Sequence, residues 1–413
     1  MQNEVAVSTN IKVASEIGEL RKVLVHRPDE GIEKVTPARA LDLLYEDIVY
    51  LPKMKEEHDF YTAALACFVG KENVYEVQTL LAETVSDATA RAEIIDAVSK
   101  HENTDPEILK DLSAEWLART LITGILPDKS IIFNPLPNLI FTRDIGVVIN
   151  DHLLTAIACK EARSRETILC RNIFNYHPLF STLAASGRII DLSKTNTALS
   201  IEGGDVMMFG ENHLIIASSE RTSQEAIFEL SEILFQKNVV TQISHVALPK
   251  DRYCMHLDTI FTRISNKECV AFEPLIIKEK RMPAYHHSGL GNKPEQYPSL
   301  GKLLENIYQG MDFILCGNGV FPYDEREQWT DGCNLFAVKD GVAFTYDRNV
   351  KTNKALQEKG YSIIEAAEFI WSCKKGITNP EGLQKTIITI PSSELSRARG
   401  GTHCMTMPLL RKS

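Results

Sequence analysis

The sequence lacks the features that mark three classes of protein. Its nine cysteines are odd in number and form no Cys-x-x-Cys pair, which favours free thiols in a reducing compartment over a disulfide framework or a zinc site. No apolar run approaches the roughly 18 residues that span a bilayer, and the amino-terminal residues show no secretory signal. The net charge of -10 comes without the stretch of lysine and arginine that phosphate binding requires. We therefore predict a cytoplasmic protein that binds neither nucleic acid nor a membrane.

What the sequence does contain is the composition of a globular protein, with 44% hydrophobic and 24% charged residues. A length of 413 residues suggests about two or three domains, although one larger architecture fits as well. Residues 53–126 stand apart because they are rich in Ala, Glu, Lys and Leu, and because Met54, Tyr61 and Leu65 recur at helical spacing. We predict a helical insert at 53–126, with no chemistry of its own, within a main unit made of 1–52 and 127–413.

Outside this segment one pattern returns five times. A polar residue stands before a short β-type run, the chain turns at Gly, Asn or Asp, and a second run follows. The instances are LPNLIFTRDIGVVIND (136–151), IEGGDVMMFGENHLIIAS (201–218), MHLDTIFTRISNKECVAF (255–272), DGCNLFAVKDGVAFTY (331–346) and GGTHCMTMPLL (400–410). Helical stretches such as SQEAIFELSEILFQK separate them. A repeated unit that cannot bury its hydrophobic face alone must pack against the other copies, so the pattern predicts a ring or propeller.

The residues at the front of these units are chemically unusual. They are Asn138, Asp144, Glu202, Asp205, His256, Asp258, Asp331 and Cys404. Carboxylates, an imidazole and a thiol suit a nucleophilic hydrolase that acts on a cationic substrate. His256 and Asp258 are two residues apart, and in a strand this alternation would place both side chains on one face. If the units surround a centre, we expect these side chains to meet there.

Each of these residues also has a structural interpretation. Cys404 alone would more often be a buried thiol, and His256 alone a satisfied core histidine. Asp144 could form a surface pair with Arg143, and Glu202 could belong to a turn. Their coincidence at equivalent points of five similar units favours function. By contrast, His286 and His287 have no third ligand at a recognisable spacing, so we interpret them as loop residues and predict no metal.

Nine short motifs, in order along nearly the whole chain, carry a resemblance to a known family. They are SEIGELRKVLVHRP, LPNLIFTRD, EARSRET, IEGGDV, SERTS, MHLDTIFT, REQWTDGCN, YDRNVKTN and RGGTHCMTMPL. The sequence resembles the arginine deiminases of the guanidine-modifying enzyme superfamily. This resemblance implies an α/β fold, namely a five-bladed pseudo-symmetric α/β propeller of ββαβ repeats. It also implies an inserted helical bundle, which would be residues 53–126, in a catalytic propeller made of 1–52 and 127–413.

The resemblance implies a role for each matching residue. Cys404 would be the nucleophile and His256 the general acid and base, while Asp144 and Asp258 would grip a guanidinium group. Glu202 would keep His256 protonated. The substrate-binding residues would be Arg163 and Arg221 at the substrate carboxylate, Asn138 assisting them, Phe141 on the aliphatic stem, Asp205, and the mobile Arg399. The glycines before Thr402 would let the loop close around the substrate.

The expected reaction is hydrolysis of free L-arginine to L-citrulline and ammonia through a covalent Cys404 thiouronium adduct, with no metal or organic cofactor. Turnover should be highest at mildly acidic to neutral pH and fall as His256 loses its proton. Two alternatives stay open. One is an amidinotransferase or methylarginine hydrolase of the same superfamily, and the other is a non-catalytic arginine-binding protein. The resemblance also implies a homo-oligomer.

Overall fold

The computed structural model describes residues 10–195, 199–278 and 282–412. Eighteen β-strands lie in these ranges, and short apolar and β-branched runs form most of them. They are β1 (Glu19–Val25), β2 (Val74–Glu76), β3 (Gly146–Ile149), β4 (His152–Thr155), β5 (Ile189–Ile190), β6 (Val206–Gly210), β7 (His213–Ser218), β8 (Gln242–Ala247), β9 (Phe261–Arg263), β10 (Glu268–Ala271), β11 (Ala284–His287), β12 (Glu295–Tyr297), β13 (Asp312–Leu315), β14 (Phe336–Lys339), β15 (Val342–Tyr346), β16 (Ser362–Glu365), β17 (Thr386–Ile390) and β18 (Met407–Lys412).

Helices connect these strands in an α/β fold. Within the described residues they are α1 (Leu51–Val69), α2 (Val77–Thr84), α3 (Ala88–Glu102), α4 (Glu107–Lys110), α5 (Ala114–Thr123), α6 (Ser164–Tyr176), α7 (Ser181–Ala185), α8 (Gln224–Gln236), α9 (Glu273–Ile276), α10 (Leu300–Ile307), α11 (Tyr323–Trp329), α12 (Val350–Glu358) and α13 (Ala366–Lys374). Among the residues that the structure describes, none of these helices has the length and apolar character needed to cross a membrane.

The strands form five mixed sheets with a shared pattern. Their orders are β18-β1-β2, β3-β4-β5, β12-β11-β8-β7-β6, β13-β10-β9 and β14-β15-β17-β16. Four sheets begin with an antiparallel hairpin at a predicted position, namely β3–β4, β6–β7, β9–β10 and β14–β15. The second strand of each hairpin then pairs in parallel with a strand that follows one or more helices. The hairpin repeat expected from the sequence is therefore confirmed for these four units.

The fifth unit differs from the expectation of a local hairpin. Residues 400–406 form a turn, and only β18 follows it. This strand pairs in antiparallel fashion with β1, which lies near the other end of the chain, and β1 pairs in parallel with β2. The same strand pattern is thus assembled from segments that are distant in the sequence.

The segment 53–126 is helical, as predicted, but its helices pack on two different parts of the fold. In α1, Met54, Tyr61 and Leu65 are buried together with strands β15 and β17 and helix α13. The buried residues of α2, α3 and α5 belong to another core, which includes α6 and the sheet of β3, β4 and β5. Between them, β2 extends the sheet of β1. The division into an insert and a catalytic unit stays a prediction.

Candidate active site

Segments that precede strands of several sheets meet at one cavity of about 210 Å³. Eight of the predicted site residues line it, namely Asn138, Phe141, Asp144, Arg163, Arg221, His256, Arg399 and Cys404. Asp144 precedes β3, His256 precedes β9 and Cys404 precedes β18, so residues far apart in sequence reach the same point. The other three predicted residues, Glu202, Asp205 and Asp258, are buried behind the cavity wall.

Asn334 and Asp258 hold the Cys404 thiol. Nδ2 of Asn334 donates to Cys404 Sγ at 3.1 Å, and Oδ1 of Asn334 accepts from the backbone N–H of Cys404 at 3.0 Å. The thiol in turn donates to Asp258 Oδ2 at 3.4 Å. Burial raises the pKa of the Cys404 thiol well above its usual value, and the carboxylates of Asp258, Asp144 and Asp331 raise it further. A cation that enters the cavity would offset these negative charges and favour the thiolate.

Close packing explains why glycine occupies the two positions before Thr402. A Cβ on Gly400 would lie 2.1 Å from a ring carbon of Phe141, and a Cβ on Gly401 would lie 2.5 Å from Asn334 Oδ1. Helix α1 supports the same loop, because Tyr61 Oη donates to the carbonyl of Thr402 at 2.8 Å. The predicted insert is therefore not remote from the site, since its first helix contacts the loop that carries the nucleophile.

His256 lies between two carboxylates at the cavity wall. Its Nε2 is 2.9 Å from Glu202 Oε2, and its Nδ1 is 3.7 Å from Asp144 Oδ1. Burial alone lowers the pKa of His256, but Asp144, the hydrogen bond to Glu202 and nearby Asp205 raise it to about 10. For Glu202, burial raises the pKa, but the His256 hydrogen bond and the Arg163 charge lower it to about 2. His256 is thus protonated at neutral pH.

Asp258 belongs to a buried chain of charged groups. His403 Nδ1 lies 2.9 Å from Asp258 Oδ2, and His403 Nε2 lies 3.1 Å from Glu16 Oε2. Arg143 Nη1 is 3.5 Å from the other oxygen of Glu16. Burial raises the pKa of Asp258, but the hydrogen bond and charge of His403 outweigh it, so the pKa is lowered. Asp258 is therefore an ionised carboxylate in contact with the nucleophile.

Arg163 lies within the acid cluster. Its Nη1 donates to Asp144 Oδ2 at 2.7 Å and is 3.4 Å from Glu202 Oε2. Its Nε donates to Glu166 Oε2 at 2.9 Å. Burial lowers the pKa of this guanidinium, but Glu166, Asp144 and Glu202 together raise it. In this structure Arg163 bonds to one of the acids predicted to hold a substrate guanidinium, and its binding to a substrate carboxylate stays a prediction.

Arg221 and Asn138 complete the charged and polar side of the wall. Nε and Nη1 of Arg221 are buried without a hydrogen-bond partner among the described residues, although Nη1 lies 3.9 Å from Glu202 Oε1. These two N–H groups of Arg221 are therefore available to donate hydrogen bonds to a carboxylate group. Asn138 Nδ2 donates to the carbonyl of Leu43 at 2.7 Å. The neighbouring Leu44, with φ of 55°, also lines the cavity.

Among the described residues, one group of side chains has ligand atoms close enough together to hold a metal ion, and it is part of this site. Ligand atoms of Asp144, Glu202 and His256 lie within 4.8 Å of one another. The site does not suit a metal ion well, because Nε2 of His256 is hydrogen-bonded to Glu202 and the guanidinium of Arg163 lies 2.7 Å from Asp144. The cationic side chains of His256 and Arg163 thus already neutralise the charges of these two carboxylates.

Two expectations about placement need correction. His256 and Asp258 do not alternate along a strand, because Leu257–Thr259 is a 3-10 turn and β9 begins only at Phe261. Thr259 Oγ1 donates to the carbonyl of His256 at 2.6 Å and stabilises this turn.

Asp205 is not brought to the cavity wall. Its carboxylate accepts from the backbone N–H of Leu257 at 3.0 Å and from the hydroxyl of Ser219 at 2.6 Å. Burial raises its pKa to about 7. We expect it to position the His256 turn and the turn before Arg221 rather than to touch a substrate.

The sequence pattern did not single out several residues that support the site. Asn334 and His403 lie beside residues that it did single out, within REQWTDGCN and RGGTHCM, so their proximity to Asp331 and Cys404 was the available signal. Glu16 gave no such signal, because its contact with His403 joins residues at opposite ends of the chain. Glu166 lies one helical turn after Arg163, a spacing that permits an ion pair.

Comparisons with known proteins show the family of this chain. The family model described as arginine deiminase matches residues 117–411. An arginine deiminase of Bacillus cytotoxicus is 32% identical, with 97% of this chain and 98% of the relative aligned. An arginine deiminase of Listeria monocytogenes serotype 4b is 30% identical, with 98% of each chain aligned.

Solved structures give the same picture of the fold. The amino-terminal domain of ArgZ, described as an arginine dihydrolase of cyanobacteria and bound to its product, is similar with a TM-score of 0.52 at 14% identity, covering 95% of this chain and 98% of that one. A dimethylarginine dimethylaminohydrolase of Pseudomonas aeruginosa in complex with citrulline has a TM-score of 0.51 at 14% identity, covering 94% and 99%. At such identities these likenesses concern the α/β fold alone. On the family model and the full-length relatives, this chain belongs to the arginine deiminase family.

Proposed function

We propose that this protein hydrolyses free L-arginine to L-citrulline and ammonia, with Cys404 as the nucleophile. One observation carries the proposal: the Cys404 thiol, the His256 imidazole and the Asp144 carboxylate, which precede strands of three different sheets, meet at one small cavity, and the Asp258 carboxylate contacts the thiol. The arginine deiminases to which the chain is similar over nearly its whole length support the same reaction.

The substrate guanidinium would lie between Asp144 and Asp258, whose carboxylates match its planar N–H groups. Asp258 is in contact with Cys404 Sγ, and Asp144 is near His256 Nδ1, so the guanidinium carbon would be placed between the sulfur and the imidazole. To occupy this position the substrate must replace the contact between Arg163 and Asp144. Arg163 would stay anchored by Glu166, and Arg221 has two donors available for the substrate carboxylate.

In the first step, the cationic substrate favours loss of the thiol proton to solvent, and the Cys404 thiolate attacks the guanidinium carbon. His256 donates its proton to the departing nitrogen, which leaves as ammonia when its bond to carbon breaks. A thiouronium group bound to Sγ remains. Glu202, 2.9 Å from His256, keeps the imidazole charged until this transfer.

In the second step, neutral His256 takes a proton from a water molecule, which attacks the thiouronium carbon. The bond from carbon to sulfur then breaks, the proton of the new hydroxyl group passes to the Cys404 sulfur to restore the thiol, and citrulline is released. Overall, one water is consumed and one ammonia is formed for each arginine. No step requires a metal or an organic cofactor, which stays a prediction.

The finer architecture and assembly are part of the same proposal. We propose that the five sheets are the blades of a five-bladed α/β propeller around the cavity, since each sheet has the same strand pattern and the site residues precede the first strands. Residues 53–126 would be an insert in this propeller. A homo-oligomer and a cytoplasmic location are expected from the resemblance and the composition, and light scattering of the purified protein tests the first.

The experiment that tests the reaction is incubation of the pure protein with arginine as the sole substrate, followed by assays of ammonia and citrulline. Equal amounts of both products support hydrolysis. Ornithine that forms only with an added amine would favour the amidinotransferase, and citrulline that forms only from methylated arginine would favour the methylarginine hydrolase. A Cys404→Ala variant separates the binding-protein alternative, because we expect it to bind arginine in calorimetry while losing all turnover.

A further inference from the structure

Arg399 has an unusual environment at the cavity wall. Its guanidinium carbon lies 3.6 Å from the centre of the Trp329 ring, the shortest such distance among the described residues. Hydrogen bonding holds it only weakly, because Nη2 is 3.4 Å from the carbonyl of Tyr253 while Nε and Nη1 are buried without a hydrogen-bond partner in the described part of the chain. The aromatic face is therefore the main contact that fixes this group.

A buried acid follows Trp329 closely in the sequence. Helix α11 ends at Trp329, and the chain turns at Asp331, which has φ of 63°. Oδ2 of Asp331 has no hydrogen-bond partner among the described residues, and the side chain is only 3% exposed. Burial raises the pKa of Asp331 to about 7, and the charge of Arg399 counteracts this. Asp331 thus contributes only electrostatic attraction to Arg399, and the indole face of Trp329 is the close contact of this guanidinium.

We propose that Trp329 is a positioning residue of the reaction: its indole face holds Arg399 at the wall of the cavity that Cys404 also lines. The proposal rests on the proposed function, because Arg399 and Cys404 line the same cavity. Trp329 itself does not line the cavity, so it acts through Arg399 and not by contact with substrate. Trp329 is 42% exposed, whereas the Arg399 side chain that it contacts is buried.

A double-mutant cycle tests the coupling. We expect Trp329→Leu to lower kcat/KM for arginine about tenfold, as the loss of a desolvated cation–π contact would. Trp329→Phe, which keeps an aromatic face, should recover most of this loss. In an Arg399→Ala background, Trp329→Leu should have no further effect. The control is Trp371→Leu on α13, a tryptophan with 56% exposure, which should leave kcat/KM unchanged.

Losses that add in the double variant, or a Trp329→Leu enzyme with wild-type kcat/KM, would overturn the proposal. A wild-type protein that forms no citrulline would instead contradict the proposed function. The fluorescence of Trp329 tests the contact without any turnover, and also if Trp329→Leu fails to fold. Arg399→Ala should change the tryptophan emission, while Arg397→Ala, whose side chain pairs with Asp47, should not. Equal emission from wild type and Arg399→Ala would again refute the contact.

Discussion

Glu202→Gln should change the pH range of the enzyme more than its fold. The variant keeps the shape of the side chain but removes the negative charge 2.9 Å from His256 Nε2. For charge centres about 4 Å apart at an effective dielectric constant of about 20, the interaction is about 4 kcal/mol. This energy corresponds to about 3 pKa units. The pKa of His256, about 10 in the wild type, should therefore fall to roughly 7 in the variant.

The assay is the rate of citrulline release from saturating arginine between about pH 5 and 10. Because His256 must be protonated to release ammonia, wild-type turnover should decline only as the pH approaches about 10, not just above neutrality as its ordinary pKa suggests. Glu202→Gln should decline from roughly pH 7. Glu161→Gln, at a side chain with 84% exposure, is the control and should match the wild type. An alkaline limb at the same pH in Glu202→Gln and wild type would refute this account of His256.

Three further predictions concern the loop and the fold. Asn334→Ala should lower kcat about 100-fold because the Cys404 sulfur loses its donor, and an unchanged kcat would contradict this role. Gly400→Ala should lower the free energy of unfolding by about 1 to 3 kcal/mol through its clash with Phe141, and urea unfolding measures the loss. His26→Gln should destabilise the fold by about 3 to 5 kcal/mol. Although burial lowers the pKa of His26, its acidic partners raise it to about 10. This contribution is complete below the unfolded pKa of about 6.5 and lost as the pH rises through about 10, so a stability difference that grows with pH would contradict it.

The parts of the site that sequence predicted are those that depend on repetition. Cys404, His256 and Asp144 were selected because each stands before a strand of a repeated unit, and the structure brings these three to one cavity. Hairpin turns such as that at Asn150, where φ is 50°, follow local rules and were equally accessible. Local pattern and repetition therefore predict which chain segments approach the centre.

The sequence could not predict the ion-pair and hydrogen-bond partners of each side chain. Arg163 contacts the carboxylates of Asp144, Glu166 and Glu202, and only the packed fold brings these three acids together around it. The contact of Glu16 with the residue beside the nucleophile depends on the pairing of β1 with β18, which joins the two ends of the chain. Such long-range contacts have no signature in local spacing.

The most direct test of the central claim is rapid acid quenching of the protein during turnover of arginine, followed by mass spectrometry of its peptides. The account predicts a transient adduct on the peptide that contains Cys404, with the added mass of arginine less ammonia, and its disappearance as citrulline forms. Citrulline released at the wild-type rate by Cys404→Ala, or turnover with no adduct on that peptide at any quench time, would contradict it.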